Sequence, residues 1–292
     1  MSTTLTEAIN MYIEARQASR YSPHTLLDYQ NTFRKFLRWL NHDPPVSQIG
    51  DDLIRGFLAS CQDVSKKTAL NYHIGLSSLW QWMCETNLVA NNIVRQVKPP
   101  KPETREVIPY TRSEVNALLN AASEGRNFRR DRAIILLLLD TGIRSAELIG
   151  LRCKDISIQG GRMLVFGKGA KERALCFSGR TAAALEEYAA ERHASPTYYR
   201  FFRSEGGSSL TQNGLRLAMA RLGDRAGVLS VCVHRFHHTF AIEFLRNGGN
   251  IYALQRILGH TSLDMVKRYL AIIQADIETQ MHRASPVERW EL

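Results

Sequence analysis

The chain has 292 residues, enough for two domains that each close a core, and its 44% hydrophobic and 23% charged content excludes a disordered polymer. The formal net charge is +10, which favours a polyanionic partner through counterion release, although a solvated basic surface explains charge alone equally well. Residues 1–100 hold 10 Lys and Arg against 8 Asp and Glu, and residues 101–292 hold 28 against 20, so the surplus sits in the second part.

Five scattered cysteines (Cys61, Cys84, Cys153, Cys176, Cys232) include no C-x-x-C pair. They point to reduced thiols in a cytosolic protein rather than a disulfide frame or a thiolate metal site. The start carries no signal-peptide pattern, and the longest apolar run, Ala133 to Leu139, is far short of the ~20 residues that cross a bilayer. A soluble, cytoplasmic protein without membrane contact is expected.

Residues 1–96 predict one helix after another. Leu5, Ala8, Ile9, Tyr12 and Ile13 keep helical spacing; Ser22-Pro23 supplies an N-cap and a first-turn proline for a helix with Leu26, Tyr29, Phe33, Phe36 and Leu40 on one face. Pro44-Pro45 interrupts the chain, and further stripes follow at Leu53, Ile54, Phe57, Leu58, Cys61 and at Tyr72, Leu76, Leu79, Trp80, Met83. The aromatics read most simply as the core of a small all-α bundle. Lys66, Lys67 and His73 suit phosphate contacts or a solvated face alike.

Residues 97–107, rich in proline and charge, read as a linker. The second domain, 108–292, opens with helices over Ser113–Ala122 and Asp131–Asp140. Strands follow at Ile156–Ile158, Arg162–Phe166 and Ala174–Phe177, with a turn over 167–173. Helices resume at Thr181 and run nearly to the end. The expected fold class is mainly α with a small antiparallel β-sheet.

Four separated pieces carry chemistry: Thr141-Gly-Ile-Arg144-Ser-Ala-Glu147-Leu, Gly167-Lys168-Gly169, His234-Arg-Phe-His237-His-Thr-Phe-Ala, and Leu258-Gly-His260 followed by Tyr269. Each alone has a bland explanation: a cap, a hairpin turn, a buried histidine, a core tyrosine. In this order and spacing they resemble the tyrosine recombinase (phage integrase) family, most closely its compact Xer-like members, over nearly the whole chain. The resemblance implies a two-domain, C-shaped DNA clamp: a helical, SAM-like core-binding domain over 1–96 and a mixed α+β catalytic domain over 108–292, with a carboxyl tail from about 275 to 292. It implies site-specific cleavage and rejoining of duplex DNA through a 3′-phosphotyrosine intermediate and a Holliday junction. It further implies a tetramer on paired recombination sites, with a partner recombinase as an optional component, no cofactor, and a place on the nucleoid.

Residue by residue, the resemblance makes Arg144 the first catalytic arginine, Glu147 its buried helper, Lys168 the general acid of the hairpin turn, His234 and His260 phosphate ligands, and Tyr269 the nucleophile. His234 also helps to remove the phenolic proton. The chemistry accounts for these types. A phenol has a pKa near ~10 and attacks phosphorus poorly unaided. Charge gathers on the non-bridging oxygens, which a guanidinium meets with two parallel hydrogen bonds. The ester conserves the energy of the broken phosphodiester, so rejoining needs neither ATP nor metal.

One position departs from the family pattern H-x-x-R: His237 stands at the second arginine, and Arg235 faces elsewhere on the helix. Three readings stay open. His237 substitutes in part as a cation, the chain is a catalytically weakened DNA-binding relative, or its sequence has been altered. His234, His237 and His238 at i, i+3 and i+4 suit a metal on one helix face, but H-E-x-x-H, a cysteine partner and a carboxylate ligand are missing. A type IB topoisomerase shares the chemistry and predicts relaxation without site specificity. For DNA contacts, the segment Ser208 to Arg216 resembles the family's groove-approaching helix start, with Gln212, Asn213 and Arg216 as candidates. Ile277, Met281 and Trp290 are the apolar anchors expected of the tail, on a neighbouring protomer or on its own domain. Arm-site binding is not expected.

Overall fold

The computed structural model describes residues 3–102, 108–167, 172–191, 200–260, 262, 263, 266, 269, 285 and 287. The chain divides into two compact units, Met1–Arg105 and Glu106–Leu292.

The first unit holds helices α1 (Leu5–Ala18), α2 (Pro23–Leu40), α3 (Asp51–Ser60) and α4 (Lys66–Glu85). Thr4 and Glu7 form a capping box at the head of α1, and Ser22 and Ser65 cap α2 and α4. These oxygens satisfy N–H groups that lack intrahelical partners. The apolar stripes meet in one core built on Tyr12, Phe33, Phe36, Phe57, Leu76 and Trp80. That core reaches into the expected linker: Val97 is buried in it, and Nε2 of His73 donates to the Val97 carbonyl at 2.9 Å. His73 is thus an internal strut rather than a phosphate contact.

The second unit begins with α5 (Arg112–Ser123), α6 (Phe128–Thr141) and α7 (Ser145–Gly150). An antiparallel sheet follows, β1 (Ile156–Ser157), β2 (Arg162–Phe166) and β3 (Glu172–Cys176), in the order β1-β2-β3. Met163 pairs with Leu175 and Leu164 with Ala174. Met163, Val165 and Leu175 face the core, as period-two alternation requires. Then come α8 (Gly179–Glu191), α9 (Gln212–Ala226), α10 (Val233–Arg246) and α11 (Ile251–Leu258). Helix α6, whose Ala133, Ile134, Ile135, Leu137 and Leu138 are wholly buried, packs against α5, α8 and α10. The apolar run read as a buried helix is therefore the centre of this unit. No helix among the described residues is long and apolar enough to cross a membrane.

Candidate active site

The T-G-I-R segment is a joint between two helices. Thr141 ends α6 by turning its hydroxyl back to the Leu137 carbonyl, at 2.6 Å. Gly142 follows in the left-handed region, φ +60, where a Cβ would lie 2.4 Å from a ring carbon of Phe240. Only glycine tolerates both the dihedral and the approach. The chain then extends through Arg144, the N-cap of α7, and Glu147 one turn on accepts from the Arg144 amide at 3.0 Å and from its Nη1 at 3.3 Å.

Glu147 has a second cationic partner that the sequence did not announce. Arg173, on β3, donates Nη1 and Nη2 to the two carboxylate oxygens at 2.7 and 2.8 Å, and its Nε donates to the Ile257 carbonyl at 2.6 Å. Burial pushes the Glu147 carboxyl up, but the hydrogen bonds and charges of Arg173 and Arg144 outweigh it and hold the pKa below the ordinary glutamate value. The Arg144 side chain is 35% exposed against 13% for Arg173. Arg144 is accordingly the more accessible of the two guanidiniums, and Arg173 the one enclosed by the protein. The Arg173 guanidinium also lies against Gly259, where a Cβ would come within 3.1 Å of Nη1. One side chain thus fastens the hairpin, the arginine helix and the Leu-Gly-His turn together.

Helix α10 brings three histidines to this region. His234 is exposed at its first turn; His237 and His238 are buried. Nδ1 of His237 donates to the Gly142 carbonyl, which joins α10 to the T-G-I-R joint and leaves Nε2 as the ring's other nitrogen. Burial lowers the His237 pKa to about 4. The Gly142 carbonyl opposes that shift, while the charges of Arg144, His260 and His234 add to it. His237 is therefore neutral near pH 7 in the free chain, with its hydrogen on Nδ1. The His260 ring lies 5.8 Å from that of His237, and the His234 ring 5.9 Å from it. Arg235 does not stand in for the missing arginine. It pairs with Glu114 at 2.7 Å, donates to the carbonyls of Ile108, Pro109 and Leu229, and lies 4.0 Å over the Tyr110 ring.

Tyr269 is completely buried, packed with Phe240, Leu254, Leu258 and Val266. Its hydroxyl is 2.7 Å from Nδ1 of His238. Sequence reasoning passed over His238 except as a metal ligand; the signal available was its place one turn after His234. Among the described residues, no group of three His, Cys, Asp or Glu is arranged to hold a metal ion. Lys168 lies outside the described residues.

Of the DNA-contact candidates, Gln212, Asn213 and Arg216 are exposed at the head of α9, which Thr211 caps. Gln212 Nε2 donates to Ser145 Oγ at 2.6 Å, so α9 starts beside the residue that follows Arg144. Asn213 Oδ1 accepts from Arg216 Nη2 at 3.0 Å. Lys66 and Lys67 are exposed at the head of α4 in the other unit.

Residues 110–275 match the Phage integrase family, and residues 9–87 match its N-terminal SAM-like domain. Tyrosine recombinase XerC of Pelobacter propionicus is 27% identical over 289 residues, covering 97% of this chain and 95% of the relative. Tyrosine recombinase XerD of Oceanobacillus iheyensis is 27% identical over 276 residues, covering 91% and 93%. Among solved structures, the Tn1549 transposon integrase in complex with transposon right end DNA superposes with a TM-score of 0.80 at 18% identity, covering 97% of this chain and all of the other, which is a likeness of fold. With both domains matched in order and the arginine, histidine and tyrosine segments in place, the chain belongs to the phage integrase family, among its Xer-like tyrosine recombinases.

Proposed function

We propose that this protein recombines duplex DNA at specific sites, cutting and rejoining each strand through a 3′-phosphotyrosyl ester on Tyr269 and passing through a Holliday junction. The observation that carries the reading is the convergence on one region of a half-exposed guanidinium, Arg144, braced by Glu147, with the imidazoles of His237 and His260 beside it. A cation held by a buried carboxylate costs little reorganisation when negative charge develops on phosphorus. Tyr269 attacks, and the phenolic oxygen replaces the 5′-oxygen on phosphorus. Lys168 supplies the proton to the departing 5′-hydroxyl. His234 and His260 hold the phosphate.

Gln212, Asn213 and Arg216 face the major groove in this reading, next to the scissile position because α9 starts beside Ser145. Lys66 and Lys67 meet the backbone from the helical domain. Four protomers assemble on paired sites on the nucleoid, each passing its tail to a neighbour. An apolar groove of about 660 Å3 lined by Leu139, Leu175, Phe240, Phe244 and Ile257 suits the anchors Ile277, Met281 and Trp290 of such a tail.

The test is covalent capture on nicked suicide duplexes. The unchanged chain is expected to form a protein–DNA adduct, and Tyr269→Phe to bind the same DNA without one, because only the phenolic oxygen can form the ester. An adduct that persists in Tyr269→Phe removes Tyr269 from the role, and binding without any adduct in the unchanged chain makes the protein a DNA binder only.

A further inference from the structure

The Tyr269 hydroxyl is hydrogen-bonded to His238, and the His238 ring meets the His234 ring edge-to-face with centroids 4.1 Å apart. His238 is buried and His234 is exposed. The two rings therefore pack against each other, with His238 the one in contact with the buried hydroxyl. We propose that His238 takes the phenolic proton from Tyr269 during cleavage, holds it, and returns it during rejoining; this rests on the cleavage reading above.

A phenol needs a proton acceptor within hydrogen-bond reach to become a competent nucleophile near neutral pH. His238 Nδ1 meets that requirement at 2.7 Å. His237 is committed elsewhere, since its Nδ1 donates to the Gly142 carbonyl. For this transfer the phenolic O–H donates to Nδ1 of His238, in the tautomer that carries the imidazole hydrogen on Nε2. As the phenolic oxygen bonds to the scissile phosphorus, its O–H bond breaks and the proton passes to Nδ1. The bond from phosphorus to the 5′-oxygen breaks at the same time, and that oxygen takes a proton from the general acid. Rejoining reverses each transfer: the 5′-hydroxyl attacks, the phenolate leaves, and the imidazolium returns its proton.

The experiment exchanges the acidity of the nucleophile. Full-length chains with tyrosine or trifluorotyrosine at position 269 are given nicked duplexes with randomised cores, and adduct formation is followed in a single turnover. A more acidic phenol depends less on a proton acceptor. His238→Ala is expected to slow adduct formation about a hundredfold with tyrosine but less than about tenfold with trifluorotyrosine. His238→Gln, which can accept a hydrogen bond but cannot hold the proton, shows the same pattern and covers the case in which the alanine variant fails to fold. An equal defect with both phenols, or none, overturns the proposal, as does rescue confined to His234→Ala. If the unchanged chain forms no adduct, the cleavage reading fails and this proposal with it; an adduct insensitive to His238 overturns this proposal alone.

Discussion

Arg173 grips Glu147 through two parallel hydrogen bonds of 2.7 and 2.8 Å, and the same carboxylate steadies Arg144 from its amide and its guanidinium. The side chains of Arg173 and Glu147 are 13% and 4% exposed, so removing Arg173 leaves a buried carboxylate held only by the more exposed Arg144. Arg173→Ala is expected to cost about 3 kcal/mol in denaturant unfolding and to slow covalent adduct formation as well, because Glu147, the brace of Arg144, loses its own anchor. Arg173→Lys restores charge without the fork and recovers only part of either. The Glu147 pKa is held below the ordinary glutamate value. Its contribution is therefore present above the unfolded-state pKa and lost as pH falls through the folded one. Glu147→Gln should flatten that part of the acid limb of the stability profile.

Gly142→Ala tests the joint itself. At φ +60 an alanine is strained, and its Cβ would meet Phe240 at 2.4 Å and Leu258 at 3.0 Å. A loss of about 3 kcal/mol or more in unfolding free energy is expected, with Arg144 displaced. An alanine variant as stable as the parent would show that the joint relaxes freely.

How much of this was legible beforehand depends on where the information lies. The stripes of the first unit were readable because burial repeats at the helical period, and Tyr12, Phe33, Phe57 and Trp80 all lie in its core. The strand Arg162–Phe166 was bounded as observed, whereas β3 begins at Glu172, within the expected turn. Arg173 was hidden for that reason: a charged residue near a glycine turn gives no local sign that it reaches Glu147, 26 positions earlier. His238 was hidden differently. Helical spacing placed it beside His234, but its bond to Tyr269 spans 31 positions and leaves no local mark in the sequence. Arg235 was expected to face away from the phosphate, and its partners Glu114 and Tyr110 supply the reason.

Chelation separates cation-assisted chemistry from metal chemistry. Nδ1 of His237 is bonded to a carbonyl and Nδ1 of His238 to a phenol, which leaves the histidine face poorly suited to shared ligation. Adduct formation is expected to survive saturating EDTA. Activity that vanishes with the chelator and returns with zinc would make these histidines a ligand set.

The surplus of charge in the second part of the chain predicts that DNA affinity falls steeply with ionic strength. Within that binding, Asn213→Ala and Arg216→Ala are expected to cost about 1–3 kcal/mol on a cognate site and little on unrelated duplex, if both read base edges. Equal losses on both DNAs would reduce them to backbone contacts.

His237 stands where the family pattern has an arginine, and its environment gives the substitution a pH signature. Burial, with the charges of Arg144, His260 and His234, lowers its pKa to about 4 against the opposing pull of the Gly142 carbonyl. Between the unfolded value near ~6.5 and about 4, the unfolded chain binds a proton that the folded chain refuses. Stability attributable to His237 is therefore complete at neutral pH and falls on acidification, by about 3 kcal/mol across that window. His237→Gln should remove this acid-side loss. Catalysis runs the other way. With its hydrogen on Nδ1 committed to Gly142, neutral His237 can only accept at Nε2, and only the protonated ring can donate to a phosphate. The bound phosphodiester anion, and more so the developing phosphorane, favours that proton, so single-turnover cleavage should quicken as pH falls, until Tyr269 activation or DNA binding limits it. His237→Arg supplies a permanent charged fork and is expected to raise the rate at neutral pH on the order of a hundredfold, while flattening the acid-side dependence. The measurement is adduct formation by both proteins on one nicked duplex from pH 5 to 8. An arginine variant no faster than the parent would mean that Nε2 of His237 does not meet the phosphate, and that Arg144 with the remaining cations carries the charge alone.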